Sequence, residues 1–181
     1  MNITTRTGRW LAAAIVGCCA ILLPGVAMAA PAAPARSAPD TTAPGCETPG
    51  LVIWLDTNGN GAAGSVFYNL EFTNLSGHAC TLNGFPFINA VSLTGSLLGR
   101  RAAFNHTTTP HMVTVHQGQT VTAVLQLTDV GVFPASKCKP VTAAGLRVFP
   151  PNQTRAKVVP FPFGACSATG VTFMGVGPVT K

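Results

Sequence analysis

The chain has 181 residues, only 9% of them charged, with 19 Gly, 15 Pro and a formal net charge of +6 at pH 7. Gly and Pro break helices, and too few Glu, Lys or Arg remain to line the solvent side of helices, which excludes a mainly helical protein. The cationic residues stand apart in sequence, at Arg100-Arg101, Lys137, Lys139, Arg147, Arg155, Lys157 and Lys181. No clustered stripe with aromatic platforms is evident, so no nucleic-acid partner is expected.

From the N-terminus, Arg6 and Arg9 precede an apolar stretch, Leu11 to Leu23, closed by Pro24-Gly25 and then Ala27-Met28-Ala29. Basic region, short apolar region, helix breaker and small residues before a cleavage site form the order of a secretory signal over residues 1–29. Cleavage is expected between Ala29 and Ala30, and loss of Arg6 and Arg9 lowers the net charge by two. The stretch is too short to cross a bilayer, and no other segment approaches the ~20 apolar residues required, so the mature chain has no transmembrane segment. Ile15-Val16-Gly17-Cys18 also fits a lipoprotein cleavage pattern, with a lipid anchor on Cys18 as the alternative. Apolar residues continue beyond it as Ala20-Ile21-Leu22-Leu23, where a lipoprotein turns polar, and this favours ordinary cleavage. The expected location is outside the cell or at the cell wall, where disulfides persist.

Residues 30–44 read as a disordered Ala/Pro-rich linker, whose prolines favour extended conformations and whose Thr41-Thr42-Ala43-Pro44 suits O-glycosylation. One domain follows over residues 45–179, a size that supports a core of its own. Its period is two. Ser65 to Asn74 places Val66, Tyr68, Leu70 and Phe72 on one face, and Thr120 to Thr128 does the same with Val121, Ala123, Leu125 and Leu127. These two sets are expected to meet across the core. Further strands are expected over Leu51–Leu55, Phe87–Leu93, Leu97–Phe104, Met112–Val115, Gly145–Phe149, Lys157–Phe161 and Val171–Met174. Turn residues separate them at Asn58-Gly59-Asn60-Gly61, Ser76-Gly77, Thr94-Gly95, Gln117-Gly118 and Pro150-Pro151. Short strands at this spacing describe an all-β, two-sheet antiparallel sandwich.

Cys46, Cys80, Cys138 and Cys166 remain after cleavage, an even number that predicts two disulfides in an oxidising compartment. Four cysteines allow three connectivities, and spacing alone does not choose among them. In a sandwich the first strand starts at the pole where the second ends, which favours Cys46–Cys80 and leaves Cys138–Cys166.

The run Cys80-Thr81-Leu82-Asn83-Gly84-Phe85-Pro86 resembles a motif of the secreted actinobacterial family known as domain of unknown function 4232. The likeness extends in order through the domain. Cys46 lies before the first strand, and Tyr68 to Ser76 resembles that family's strand ending in an Asn-x-Ser turn. Gly118 precedes strand Val121–Leu127, and Cys138, Pro150-Pro151 and Cys166 follow. Gln117 departs from the Pro that the family often carries before that Gly. The resemblance implies an exported immunoglobulin-like β-sandwich and implies no activity, so no functional residue is carried over from it.

Candidate chemistry is sparse. Asp56-Thr57-Asn58-Gly59-Asn60-Gly61 reproduces the opening of a calcium loop, but Phe67 stands where the bidentate Glu is required, and a Gly/Asn turn with positive φ is the expected structure. His106, His111, Met112 and His116 are candidate metal ligands, yet spacings of five put successive histidines on opposite faces of one strand. Exposed loop histidines are the expected account, and His78 reads as a surface residue. There is no Gly-x-Ser-x-Gly, His-Glu-x-x-His or phosphate-loop motif, and Asp56, Glu71 and Asp129 are too few to suggest a carboxylate pair. No cofactor is expected. The sequence points to a non-catalytic binding or structural module at the cell envelope, using loops at one pole of a sandwich on an unidentified partner. The alternative is metal or small-ligand binding through the His106–His116 region.

Overall fold

The computed structural model describes residues 43–181. The expected export segment 1–29, with Cys18, and the expected linker as far as residue 42 lie outside the described residues. Eleven strands form three sheets: β1 (Leu51–Ala62), β2 (Ser65–Asn74), β3 (Cys80–Asn83), β4 (Phe87–Val91), β5 (Leu97–Leu98), β6 (Ala103–Phe104), β7 (Met112–Val115), β8 (Thr120–Thr128), β9 (Pro140–Phe149), β10 (Lys157–Cys166) and β11 (Met174–Val176). A five-stranded sheet runs β1-β2-β8-β11-β6, a four-stranded sheet runs β10-β9-β4-β5, and β3 pairs with β7. All pairs are antiparallel except β11–β6. The fold is therefore all-β, with its larger sheets packed on each other.

One core joins the three sheets. Leu51, Ile53, Leu70, Phe72, Val121, Ala123 and Leu125 come from the five-stranded sheet, and Ile88, Ala90, Leu146, Val148 and Val159 from the four-stranded sheet. Leu82, Val113 and Val115 bring the small sheet into the same cluster. The Tyr68 and Phe161 rings meet edge to face at 5.1 Å, a direct link from β2 to β10.

Several expectations change. The alternating sets on β2 and β8 do not face each other, because these strands are hydrogen-bonded neighbours with Phe72 opposite Val121 and Leu70 opposite Ala123. Alternation fixes which face of a strand is buried and leaves its partner undetermined. The expected strand Leu97–Phe104 is divided between sheets, β5 going to the four-stranded and β6 to the five-stranded one. The crossing occurs at Gly99, which has φ +61° and where an added Cβ would lie 2.4 Å from the Phe173 ring. Asp56–Gly61 is no turn. It lies inside β1, where the pairing with β2 shifts between Asp56 and Asn60. The chain reverses instead at Ala63 and Gly64, with φ of 44° and 78°, as a two-residue hairpin loop requires. The strand expected at Val171–Met174 is displaced to β11, and β3 has no counterpart among the expected strands. Pro44, expected in the linker, is tied to the domain: the Thr81 backbone N–H donates to its carbonyl at 2.8 Å.

The disulfides are Cys46–Cys80 and Cys138–Cys166, with Cα separations of 4.8 and 4.6 Å. The first ties the segment before β1 to β3. The second ties the helical turn Ala135–Cys138 to the end of β10.

Candidate functional site

In a half-buried antiparallel sheet the solvent side is polar, and the five-stranded sheet obeys this rule only in part, since exposed Val52, Trp54 and Val124 share its outer face with Thr and Glu. Its outer face pairs Thr73 with Thr120 and Glu71 with Thr122. The Thr122 hydroxyl donates to the Glu71 carboxylate at 2.8 Å, and the Thr73 and Thr120 hydroxyls share a bond of the same length. The outer face of the four-stranded sheet differs in charge, bearing arginine and no acid. Ile88, Ala90, Leu146, Val148 and Val159 point into the core, so their neighbours point out. Register places Leu97, Val91, Gly145 and Pro160 in one row across the strands. Asn89, Arg147 and Val158 form the next row, and Phe87 and Phe149 the next. Val158 is 62% exposed, Leu97 50% and Phe87 38%, while Val91 and Gly145 in the middle of their row are buried. An apolar surface of this kind, gathered on one face, marks an interaction site more often than scattered exposed residues do.

Arginines are held against this surface. The Arg101 guanidinium carbon lies 4.9 Å from the Phe87 ring centroid and 5.6 Å from that of Phe104, and Arg147 lies 5.2 Å from Phe149. Phe104 stacks on Phe85 at 4.7 Å, and His106 meets the edge of Phe85 at 4.9 Å. Stacking orients each guanidinium while leaving its N–H groups free for an anion. Strands β4, β5, β9 and β10, with the turns 92–96 and 150–156, contain no acidic residue. The acids of the described domain lie elsewhere: Glu47 precedes the first 3-10 turn, Asp56 is in β1, Glu71 in β2, and Asp129 caps the turn Val130–Val132. Arg101 and Arg147, far apart in sequence, are thus brought to one face, whereas the Lys157 ammonium turns away to the Leu51 carbonyl of β1. Gly145 permits the close pairing of β9 and β10 beneath this face, since a Cβ there would lie 2.4 Å from the Val159 carbonyl oxygen.

The residues singled out from sequence fall elsewhere or do not converge. His111 and His116 flank β7, about 16 Å apart at a strand rise of ~3.3 Å per residue, and His106 lies with Phe85 and Phe104. Among the described residues no three His, Cys, Asp or Glu side chains are grouped to hold a metal. Asp56 Oδ1 is occupied locally, accepting from the Asn58 backbone N–H at 3.0 Å and its side-chain amide at 2.8 Å. A cleft of about 520 Å³ opens beyond the β1–β2 hairpin, lined by Ala62, Val66, Tyr68, Leu127, Val130 and Phe163. Its polar lining is engaged locally: Asp129 accepts from the Gly131 N–H at 2.8 Å, and the Ser65 hydroxyl bonds the Thr128 hydroxyl at 3.3 Å. Gln117 serves the architecture, since its side-chain oxygen accepts from the Gly77 N–H at 2.7 Å.

The Arg/Phe face escapes sequence reading because its residues come from separate segments, and only register assembles them. One local signal is present. Lys157 to Phe163, Lys-Val-Val-Pro-Phe-Pro-Phe, lacks the polar alternation of a solvated strand.

Comparison with known proteins adds a family and no function. The model of the family described as domain of unknown function (DUF4232) matches residues 46–180. No curated protein matches the chain.

Proposed function

The chain belongs to the domain of unknown function 4232 family, and from that premise we propose that it is an exported, non-catalytic binding module whose recognition surface is the outer face of the β4–β5–β9–β10 sheet. The order of parts is an export segment over 1–29, an Ala/Pro linker over 30–44 and the binding domain over 45–179, acting at the cell envelope. Two disulfides agree with a life in an oxidising compartment. The single observation that carries the reading is the charge of this face: Arg101 and Arg147 are stacked on its phenylalanines and its strands and turns hold no acid, whereas the other outer face carries Glu71. A rigid sheet face replaces the pole loops as the favoured surface. Partners in such contacts bury aromatic and arginine side chains at the centre, and Phe87, Phe149, Arg101 and Arg147 are of that kind. Retention of purified domain on immobilised envelope extract tests this. Wild type and a Glu71→Ala variant should bind alike, whereas Phe87→Ser with Arg147→Glu should lose retention while keeping its melting temperature. Equal retention by all three would overturn the assignment of the face.

A further inference from the structure

Resting on that reading of the face, we propose that its occupant is an anionic lipid surface, on which the domain lies peripherally with the β4–β5 turn leading. Charge complementarity supplies the first argument. Arg101 and Arg147 are stacked on the phenylalanines of this face, and its strands and turns hold no acidic residue. A second copy of the chain is a poor fit, because it would set Arg147 and Arg101 against their own kind. The second argument is Leu93. It sits in the turn between β4 and β5, 94% exposed among Ser92, Thr94, Gly95 and Ser96. The turn itself is well formed: Ser92 Oγ accepts from the Ser96 N–H at 3.1 Å, and the Gly95 N–H donates to the Ser92 carbonyl at 2.9 Å. A leucine held out on a defined polar turn gains nothing from water or from a soluble polyanion. It gains from an apolar phase.

The rows behind it continue the same geometry. Leu97 and Pro160 come next, then Val158 beside Arg147, then Phe87 and Phe149 with Arg101 on the Phe87 ring. From Val91 to Phe87 is about 13 Å at the rise of a strand, and the rows between them share one side of the sheet. Apolar side chains then enter the headgroup boundary, stacked arginines meet lipid phosphates, and attraction to anionic lipid adds to burial of the apolar side chains. This binding needs no spanning element, and among the described residues no helix is long and apolar enough to cross a membrane.

Co-sedimentation of the disulfide-bonded protein with phosphatidylcholine vesicles, with and without phosphatidylglycerol, tests the inference. Binding should require phosphatidylglycerol and weaken with added salt. Arg101→Glu with Arg147→Glu should reduce the apparent partition constant by on the order of 100-fold, given the contribution of each basic residue near an anionic surface. Leu93→Ser should reduce it by about 10-fold, a change at an exposed turn that leaves folding intact. Leu93→Trp should give a blue-shifted emission on vesicles that the wild type lacks. Absence of binding to phosphatidylglycerol vesicles would overturn the inference, as would equal binding by the Leu93→Ser variant. If envelope extract still retains wild type and not the arginine variant while vesicles bind neither, the face stands as the recognition surface and lipid as its occupant falls.

Discussion

Replacing Asn74 by alanine should cost this domain about 2–4 kcal/mol. Asn74 ends β2 in the Asn-Leu-Ser turn and is wholly buried. Its Nδ2 donates to the carbonyls of His78 and Val115, both at 2.8 Å, and its Oδ1 accepts from the Ser76 N–H at 2.9 Å and the Ser76 hydroxyl at 2.7 Å. In the alanine variant the Ser76 hydroxyl can turn fully to the His78 carbonyl, already 3.1 Å away. The Ser76 N–H and the amide's bond to the Val115 carbonyl have no such replacement. Each lost bond is worth about 0.5–1.5 kcal/mol net, and a buried group left without a partner adds a desolvation penalty of about 1–3 kcal/mol. For a domain of this size the melting temperature should fall by about 10 °C. Asn58→Ala is the control, because Asn58 is exposed and its amide reaches only Asp56, so its effect should stay within about 0.5 kcal/mol. Thermal and urea unfolding with the disulfides intact measures both variants. A loss below about 1 kcal/mol for Asn74→Ala, or one equal to that of Asn58→Ala, would refute the assignment of this turn as a structural hub.

Phe72→Ala, at a wholly buried position, should cost about 3–5 kcal/mol in urea unfolding, whereas Glu71→Ala and Thr122→Ala should each cost much less and show a coupling of about 0.5–1 kcal/mol in a double-mutant cycle. Reduction of either disulfide should destabilise the domain by about 3.5–4 kcal/mol, from loops closed over 34 and 28 residues, measured by unfolding of the Cys→Ala pairs. Zinc or copper should leave the melting temperature unchanged, and replacing His111 and His116 together should do the same, because β7 holds them apart; a metal-dependent rise would show that the histidines converge.

The sequence carries what is local. Alternation in Ser65–Asn74 and Thr120–Thr128 identifies both strands with their boundaries, because a residue's face in a strand depends only on its neighbours. Partner choice is a long-range property, so the expectation that Phe72 faces Val121 across the core fails, and the two lie side by side in one sheet. The calcium-like run misleads for a related reason. Asn and Gly at 58–61 are usual in turns, yet here they accommodate a shift of register, and Gly59 is needed because a Cβ would lie 2.6 Å from Tyr68 and Val66. The binding face is least legible. Arg101 and Phe87 lie on different segments, as do Arg147 and Phe87, and they become one surface only when β4 is set between β5 and β9.

Site-specific photo-crosslinking tests the central claim most directly. A photoreactive amino acid is placed at Val158 or Leu97 on the outer face of the four-stranded sheet, and at Asn69 on the outer face of the other sheet, and each protein is irradiated in the presence of envelope material. Each position is exposed, so none should disturb the core. Adducts should form from Val158 and Leu97 and be absent from Asn69. Adducts from Asn69 alone, or equally from all three positions, would contradict the assignment of the arginine-bearing sheet as the surface through which this protein acts.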